Sequence, residues 1–367
     1  MKRVIQFRRD LHQIPELALD LPKTSTYLKQ HLQTLPCEII EPITSSVCAY
    51  FDFGQEKTIA FRSDMDALPI QEHTDVSYVS LHTNKMHACA HDGHMAMLLE
   101  FAYYVANLKS FPYNILLIFQ PGEENPGGAR LICKTGLLKK YHVCHIYGMH
   151  IWANMNKGKI SVKSGAMMAG GEEMLVEIKG KSSHVAYPSY GIDALQSSIH
   201  FLSALEQLQH KYPQSIVKFN QIKSGYSSNI ISDNTILHGT LRTFDEDTKN
   251  ALKHELNQII EQCEKQDQTS YHLTYDIGYP PVVNDDYLAN MCISELNVNV
   301  LEEPSYTNED FSYYQQEIPG VFFFLGSGHY EMLHSDTFNF DEDILETGVQ
   351  LYIDILNMYE KTSRELI

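Results

Sequence analysis

The sequence predicts an α/β protein with a mixed central sheet flanked by helices, interrupted by an inserted α+β unit. Three observations lead there. The chain has 367 residues, 43% of them hydrophobic, enough to bury a large core and long enough to favour two domains over one. Its first half alternates helical periodicity with short apolar runs, the pattern of a sheet covered by helices on both faces. Between about Gly165 and Pro281 that alternation gives way to strand, helix, strand, strand, helix, strand.

In order, helices are expected near Val4 to Gln13 and Thr24 to Thr34, followed by strands near Val47 to Phe53 and Thr58 to Arg62. A helix from about His94 to Leu108, a strand Ile115 to Phe119, a helix after Gly127 and a strand near Val143 to Tyr147 complete the first half. The central segment reads as Leu175 to Ile178, Ala194 to Leu208, Ile216 to Gln221, Ile236 to Leu241, Ala251 to Cys263 and Tyr271 to Ile277. The first pattern then resumes, with a strand at Val321 to Leu325 and a closing helix from about Asp341 to Tyr359. One discontinuous domain, 1–164 with 283–367, is therefore expected to be interrupted by a second at 165–282.

Charge narrows the function. A formal net charge of −18 repels phosphate backbones and anionic lipid heads, so neither nucleic acid nor a membrane surface is an expected partner. The first residues, MKRVIQFRRDLHQIPEL, break their apolar positions with charges, unlike a secretory or transit peptide, and the apolar runs are strand-length. A cytoplasmic location follows as the expectation. Seven scattered cysteines in a reducing compartment argue against a disulfide framework.

Functional groups in such sheets collect beyond the carboxyl ends of strands, and the polar clusters fall there: Asp64 and Asp66 after one strand, Glu123 and Glu124 after another, His150 after a third. The segment Met86 to His94, MHACAHDGH, places a thiol and three imidazoles ahead of a helix, and Cys89 and His91 could aim at one borderline-soft ion. A lone histidine there would more often cap the helix; the cluster shifts the balance. In FQPGEENPGG, adjacent carboxylates on a turn point in different directions, so one can bind metal while the other serves as general base. Surface glutamate pairs usually mean solvation, but this pair follows a buried strand between turn formers. His150 in GMHIW and His334 in MLHSDTF add two nitrogen donors.

With these motifs in order, the sequence resembles the aminoacylase and carboxypeptidase G type of dinuclear metallopeptidases. Within them it is most similar to the amidohydrolase subfamily of hippurate hydrolases, indole-acetyl-amino-acid hydrolases and N-acetyldiaminopimelate deacetylases. The resemblance runs nearly end to end, through RRDLHQIPEL, FRSDMDALPI, MHACAHDGH, FQPGEENPGGAR, GMHIW, GKSSHVAYP, NIISDNTILHGTLRT, NEDFSYY and LHSDTF. It implies that Cys89, His91, Glu124, His150 and His334 ligate two divalent ions (zinc, manganese, cobalt or nickel), the Cys89 thiolate bridging them, with Glu123 as general base. Asp66 matches an aspartate that orients a metal-binding histidine, whereas Asp64 stands where relatives outside the subfamily carry a histidine ligand. The inserted domain is implied to be a ferredoxin-like lid and dimerisation domain. There His184 matches a histidine that reaches a partner subunit's site and steadies an oxyanion, and Asn229 and Arg242 match substrate-contacting positions, Arg242 as a carboxylate clamp. A homodimer joined through this domain follows.

Several positions depart from the family pattern: Ala90 and the pair Ser182 and Ser183 replace glycines, Ser232 a proline, and Asn308 begins the acidic motif. None removes a ligand or the base. The implied reaction is metal-dependent hydrolysis of the amide bond of a small N-acyl amino acid, with N-acetyldiaminopimelate deacetylation as the alternative. Two rivals come from other classes. A non-catalytic binding paralogue would lack a base or ligand, and none is missing; a redox-sensing protein would need Cys89 as an exposed, acidic thiol.

Overall fold

A computed structural model describes residues 2–328 and 331–365. The chain forms two compact units, one of Met1–Met167, Val283–Glu303 and Asp310–Ile367, the other of Met168–Val282 and Pro304–Glu309.

The strands, in chain order, are β1 (Glu38–Ile40), β2 (Val47–Phe51), β3 (Thr58–Asp64), β4 (Asn114–Gln120), β5 (Val143–Trp152) and β6 (Ile160–Val162). Then come β7 (Gly165–Met168), β8 (Gly170–Lys179), β9 (Ile216–Ser224), β10 (Asn234–Thr243), β11 (Ser270–Tyr275), β12 (Val282–Asn284), β13 (Asn299–Val300) and β14 (Gly320–Gly326). The larger unit is built on an eight-stranded mixed sheet in the order β1-β2-β4-β3-β5-β14-β6-β13. Its middle, β4-β3-β5-β14, is parallel. Every residue of NILLIFQ and GVFFFLG is buried, as parallel strands covered on both faces require. Parallel pairing brings the carboxyl ends of β3, β4 and β5 to one edge of the sheet.

Helices α1 (Arg3–His12) and α2 (Pro22–Leu32) precede α3 (His91–Val105), which packs against α1 and the closing helix Ile344–Glu365. Nearly all of α3 is buried, including its polar first turn. Two boundaries differ from expectation in ways that affect chemistry. Helix α3 begins at His91, three residues early, because Ala90 sits in the left-handed region at φ 63° and turns the chain into the helix. Strand β5 runs on to Trp152, since β14 pairs with it from Ile146 to Trp152, so His150 lies within a strand and not after one. Short strands β1, β6 and β13, and helix Asp286–Glu295, carry too few residues of clear periodicity to be read from sequence.

The motif RRDLHQIPEL is used structurally. Arg8, 2% exposed, donates through Nε to Asp92 Oδ2 at 2.9 Å and through Nη2 to Asn339 at 3.0 Å, with Glu342 3.3 Å from Nη1. His12 sits between Asp92, 2.7 Å from Nδ1, and Glu72, 3.1 Å from Nε2. Carboxylates on both ring nitrogens suit the imidazolium, so although burial opposes the charge, Asp92 and Glu72 raise the His12 pKa above 6.5. Burial likewise works against the Asp92 carboxylate, but Arg8 and His12 outweigh it and lower its pKa.

In the smaller unit, the four-stranded antiparallel sheet has the order β11-β8-β10-β9. With helices Ala194–Lys211 and Glu246–Asp267 after its first and third strands, this is the ferredoxin-like arrangement. Met174, Val176, Ile178, Leu237 and Leu241 meet Phe201, Leu205, Leu252 and Leu256 in a core of its own. Asp193 and Asp245 cap the two helices, accepting N–H bonds from Leu195 and Thr248 at 2.9 and 2.6 Å.

Replacing Arg8 with Ala leaves Asp92 buried beside a single partner, and urea unfolding should register a loss of about 3–5 kcal/mol. The pH dependence follows from the raised His12 pKa. Its contribution is complete below 6.5 and is lost as pH rises through the folded value. A His12→Gln variant should lose this alkaline sag in stability, read as unfolding midpoints across a pH series.

Candidate metal centre

The site is assembled where β3, β4 and β5 end. Asp66, 1% exposed and two residues past β3, ties three of its residues together. Its carboxylate accepts the backbone N–H of Glu123 at 2.9 Å through Oδ1 and that of Glu124 at 3.1 Å through Oδ2. Its carbonyl accepts Nδ1–H of His91 at 2.7 Å. The carboxylate, 3.8 Å from His91 Nδ1, does not orient the histidine; the carbonyl does, and the carboxylate holds the glutamate turn. That turn needs left-handed backbone at Gly122 (φ 75°) and Gly127 (φ 88°), which explains its glycines.

Tautomers follow from what each ring nitrogen faces. With Nδ1–H given to the Asp66 carbonyl, His91 presents an Nε2 lone pair that is fully buried and has no hydrogen-bond partner. His150 gives Nδ1–H to the Ile151 carbonyl at 2.6 Å, leaving Nε2 3.4 Å from Cys89 Sγ. His94 differs, because its Nδ1–H goes to Asp64 at 2.6 Å and its Nε2 accepts Ile151 N–H at 2.8 Å. Both nitrogens are committed to the protein. His87, the first histidine of the segment, is buried with neither ring nitrogen partnered, and burial lowers its pKa to about 3.

Among the clusters of potential ligand atoms in the described residues are Cys89, His91 and Glu124, and Asp64, His91, His94 and His150. In the second, Asp64 and His94 are bound to each other, and Arg62 Nη1 donates to Asp64 at 3.0 Å. The donors left open are Cys89, His91, Glu124 and His150, joined by His334, whose Nε2 lies 3.3 Å from Cys89 Sγ and 3.1 Å from Glu124 Oε1. Thus the five residues expected from sequence meet in one place. A buried, orphaned imidazole lone pair beside a buried thiol and a partly buried carboxylate is an environment that a divalent cation satisfies.

Electrostatics point the same way. Burial, and then Glu124, Glu123 and Asp64, push the Cys89 thiol well above its ordinary pKa. A redox sensor needs an exposed, acidic thiol, so this environment does not suit that role. Burial lowers the pKa of both His91 and His150, keeping them neutral as ligands must be. Glu124 is lowered by His334 and His91 against the effect of its own burial. The loop carrying His334 is anchored by its backbone N–H to the Ala88 carbonyl at 2.8 Å, and His334 adopts φ 68°.

Glu123 is 7% exposed, with Oε2 3.9 Å from His91 Nε2. Three sequence-derived candidates lie in the smaller unit. His184 and Asn229 are exposed neighbours on paired segments, linked by Val185 N–H to the Asn229 carbonyl at 3.0 Å. Ala186 N–H donates to His184 Nδ1 at 3.1 Å, placing the ring proton on Nε2. Arg242, on β10, is partly buried with Nη1 unpartnered. Sequence reasoning missed the links from Arg62 through Asp64 and His94 to Ile151, although the apolar–polar break in FRSD marked a buried arginine.

An Asp66→Asn variant would keep one acceptor but turn an NH2 toward a backbone N–H. It should weaken divalent-cation affinity about 10–100-fold with the fold retained, measured by competition against a fluorescent chelator.

Comparison with known proteins places this geometry. The chain is 34% identical over 375 residues to an uncharacterised hydrolase of Staphylococcus epidermidis, covering 97% of this chain and 96% of the relative. It is similar in structure to the YXEP protein of Bacillus subtilis, described as a dinuclear metal-binding peptidase of the M20 family, with a TM-score of 0.86, 30% identity and 96% of each chain covered. A tripeptidase from Staphylococcus aureus shares the fold at 17% identity, with a TM-score of 0.78 over 98% of both chains. The model of peptidase family M20/M25/M40 matches residues 60–358, a span that holds every donor described above, and the chain belongs to that family.

Proposed function

We propose that the protein hydrolyses the amide bond of small N-acyl amino acids, using two divalent ions held by Cys89, His91, Glu124, His150 and His334. Membership of this family makes it a metal-dependent hydrolase of amide or peptide bonds. The observation that carries the finer reading is the buried pairing of a backbone-anchored Glu123 with the unpartnered lone pair of His91, which leaves a carboxylate beside the cation donors. The description of the Bacillus subtilis protein as dinuclear supports a count of two ions.

When bound, divalent ions supply Lewis acidity that polarises the scissile carbonyl and makes water a stronger acid. The chain does the rest. Glu123 accepts the proton of the attacking water on a carboxylate oxygen and delivers it to the leaving amide nitrogen, so the C–N bond breaks to give a carboxylic acid and a free amine. Asp66 keeps the turn from rotating the base away. His184, with its proton on Nε2, donates a hydrogen bond to the carbonyl oxygen as it gains charge. Arg242 receives the α-carboxylate on the accessible part of its guanidinium, where Glu173 stands 4.0 Å from Nη2, and Asn229 positions the amide half.

In our reading the molecule acts as a homodimer joined through the smaller unit, His184 serving the partner's centre. Mixing Glu123→Gln with His184→Ala protein should then restore activity that neither variant has alone; failure of complementation in a proven mixed dimer would place His184 in its own subunit's site. No helix among the described residues is long and apolar enough to cross a membrane.

Amine release from a panel of N-acyl amino acids should vanish on chelation and return with zinc, manganese, cobalt or nickel. Glu123→Gln should bind metal normally while kcat falls by roughly 10²–10⁴-fold. Undiminished turnover by that variant would remove Glu123 from the mechanism. A strong preference for N-acetyldiaminopimelate within the panel would select the biosynthetic alternative.

A further inference from the structure

The smaller unit carries a pair of residues whose fit to each other no motif explains. Arg242 on β10 stands directly opposite Gly171 on β8 in the antiparallel register. Alternation puts both, with Glu173, on the sheet face turned from the helices, because Met174, Val176, Leu237 and Leu241 fill the helical side. An open sheet face would ordinarily expose a residue there, yet Gly171 is buried. The arginine covers it. A β-carbon built on Gly171 would lie 2.4 Å from Arg242 Nη1, 2.8 Å from Cζ and 3.0 Å from Cδ. The end of the side chain therefore lies flat across the glycine.

Flatness has an electrostatic effect. Nη1 is buried with no hydrogen-bond partner, while Nη2 has Glu173 at 4.0 Å, a side chain 66% exposed and too distant to bond. Burial lowers the Arg242 pKa, and Glu173 and Asp276 only partly offset it. A guanidinium so placed is short of one anion, and a carboxylate supplies two oxygens in the matching plane.

We propose that Gly171 is a specificity-determining residue: its missing side chain makes the shelf that holds the Arg242 fork flat, with Nη1 buried against it and the accessible part of the guanidinium left for a ligand carboxylate. The inference rests on the reading of the substrate as an N-acyl amino acid. Any side chain at 171 lifts the guanidinium off the shelf. Because the atoms struck are the far end of a flexible side chain, the fold survives and the clamp alone moves.

The test measures equilibrium binding in the non-hydrolysing Glu123→Gln background, by calorimetry, for an N-acetyl amino acid and for its C-terminal carboxamide. Gly171→Ala should weaken the acid about tenfold, the scale of one charge-assisted hydrogen bond, and leave the carboxamide within about twofold. In an Arg242→Ala background the same change should have no further effect, since the methyl acts only through the guanidinium. Circular dichroism and melting confirm the fold, and Gly171→Ser gives the same readout should the alanine variant misfold. Equal loss for both ligands, or an undiminished effect without Arg242, overturns the proposal. Equal binding of acid and carboxamide by the parent overturns the clamp reading of Arg242 itself, and binding of neither overturns the substrate class.

Discussion

Two backbone N–H groups, those of Glu123 and Glu124, converge on one carboxylate that follows a different strand, and the metal centre depends on that convergence. Adjacent residues in a turn have no reason of their own to keep a fixed direction. Held by Asp66, one is turned toward His334 and Cys89 and the other toward His91. The same aspartate fixes the ring of His91 through its carbonyl, so His91, Glu123 and Glu124 are referenced to a single point at the end of β3. The parallel sheet supplies the rigid frame that sets this point against β4 and β5.

The cost of this arrangement is concentrated charge in a dry place. Asp64, Asp66, Glu123 and Cys89 are all buried within a few residues of the sheet edge. The protein offsets part of it with Arg62, whose guanidinium reaches Asp64 and Asp310 at 3.0 and 2.8 Å, and with the Asp64–His94 bond. Burial still raises Asp66 and Cys89 well above their ordinary pKa values, helped by neighbouring carboxylates. A bound cation would offset this charge further. Local strain adds to it: Ala90, where the family pattern carries glycine, is held at φ 63°, a conformation that costs an alanine about 1–2 kcal/mol.

Much of this was legible in the order of residues. The alternation of apolar runs and helical periods is local, and it located the parallel strands and the ferredoxin-like insertion. Cys89, His91, Glu124, His150 and His334 lie in short motifs whose chemistry stands out from their neighbours, and the fold brings them together. The rest was hidden for a physical reason. Whether an aspartate meets a histidine through its carboxylate or its carbonyl, as with Asp66 at 3.8 and 2.7 Å from His91 Nδ1, is decided by the local path of a turn. Nothing in MHACAHDGH separates His91, which has a lone pair to give, from His94, which has none, because the difference is made by Ile151, 57 residues away. The placement of His150 failed similarly: periodicity ended the strand at Tyr147, and pairing with β14 carries it on to Trp152.

The cluster of Arg8, His12, Glu72 and Asp92, buried beneath Asn339 and Glu342, also bears on how the polypeptide is made. A chain leaving the ribosome presents Arg8 first and Glu342 more than three hundred residues later. Asp92 and Glu72 are made early, but until the far end appears the amino-terminal helix lacks the Glu342 carboxylate that Arg8 and Arg9 both meet. The inserted unit, by contrast, draws its core from residues between Met174 and Cys263. Synthesis therefore completes the guest before the host, and the host's two halves must wait for each other across a folded module.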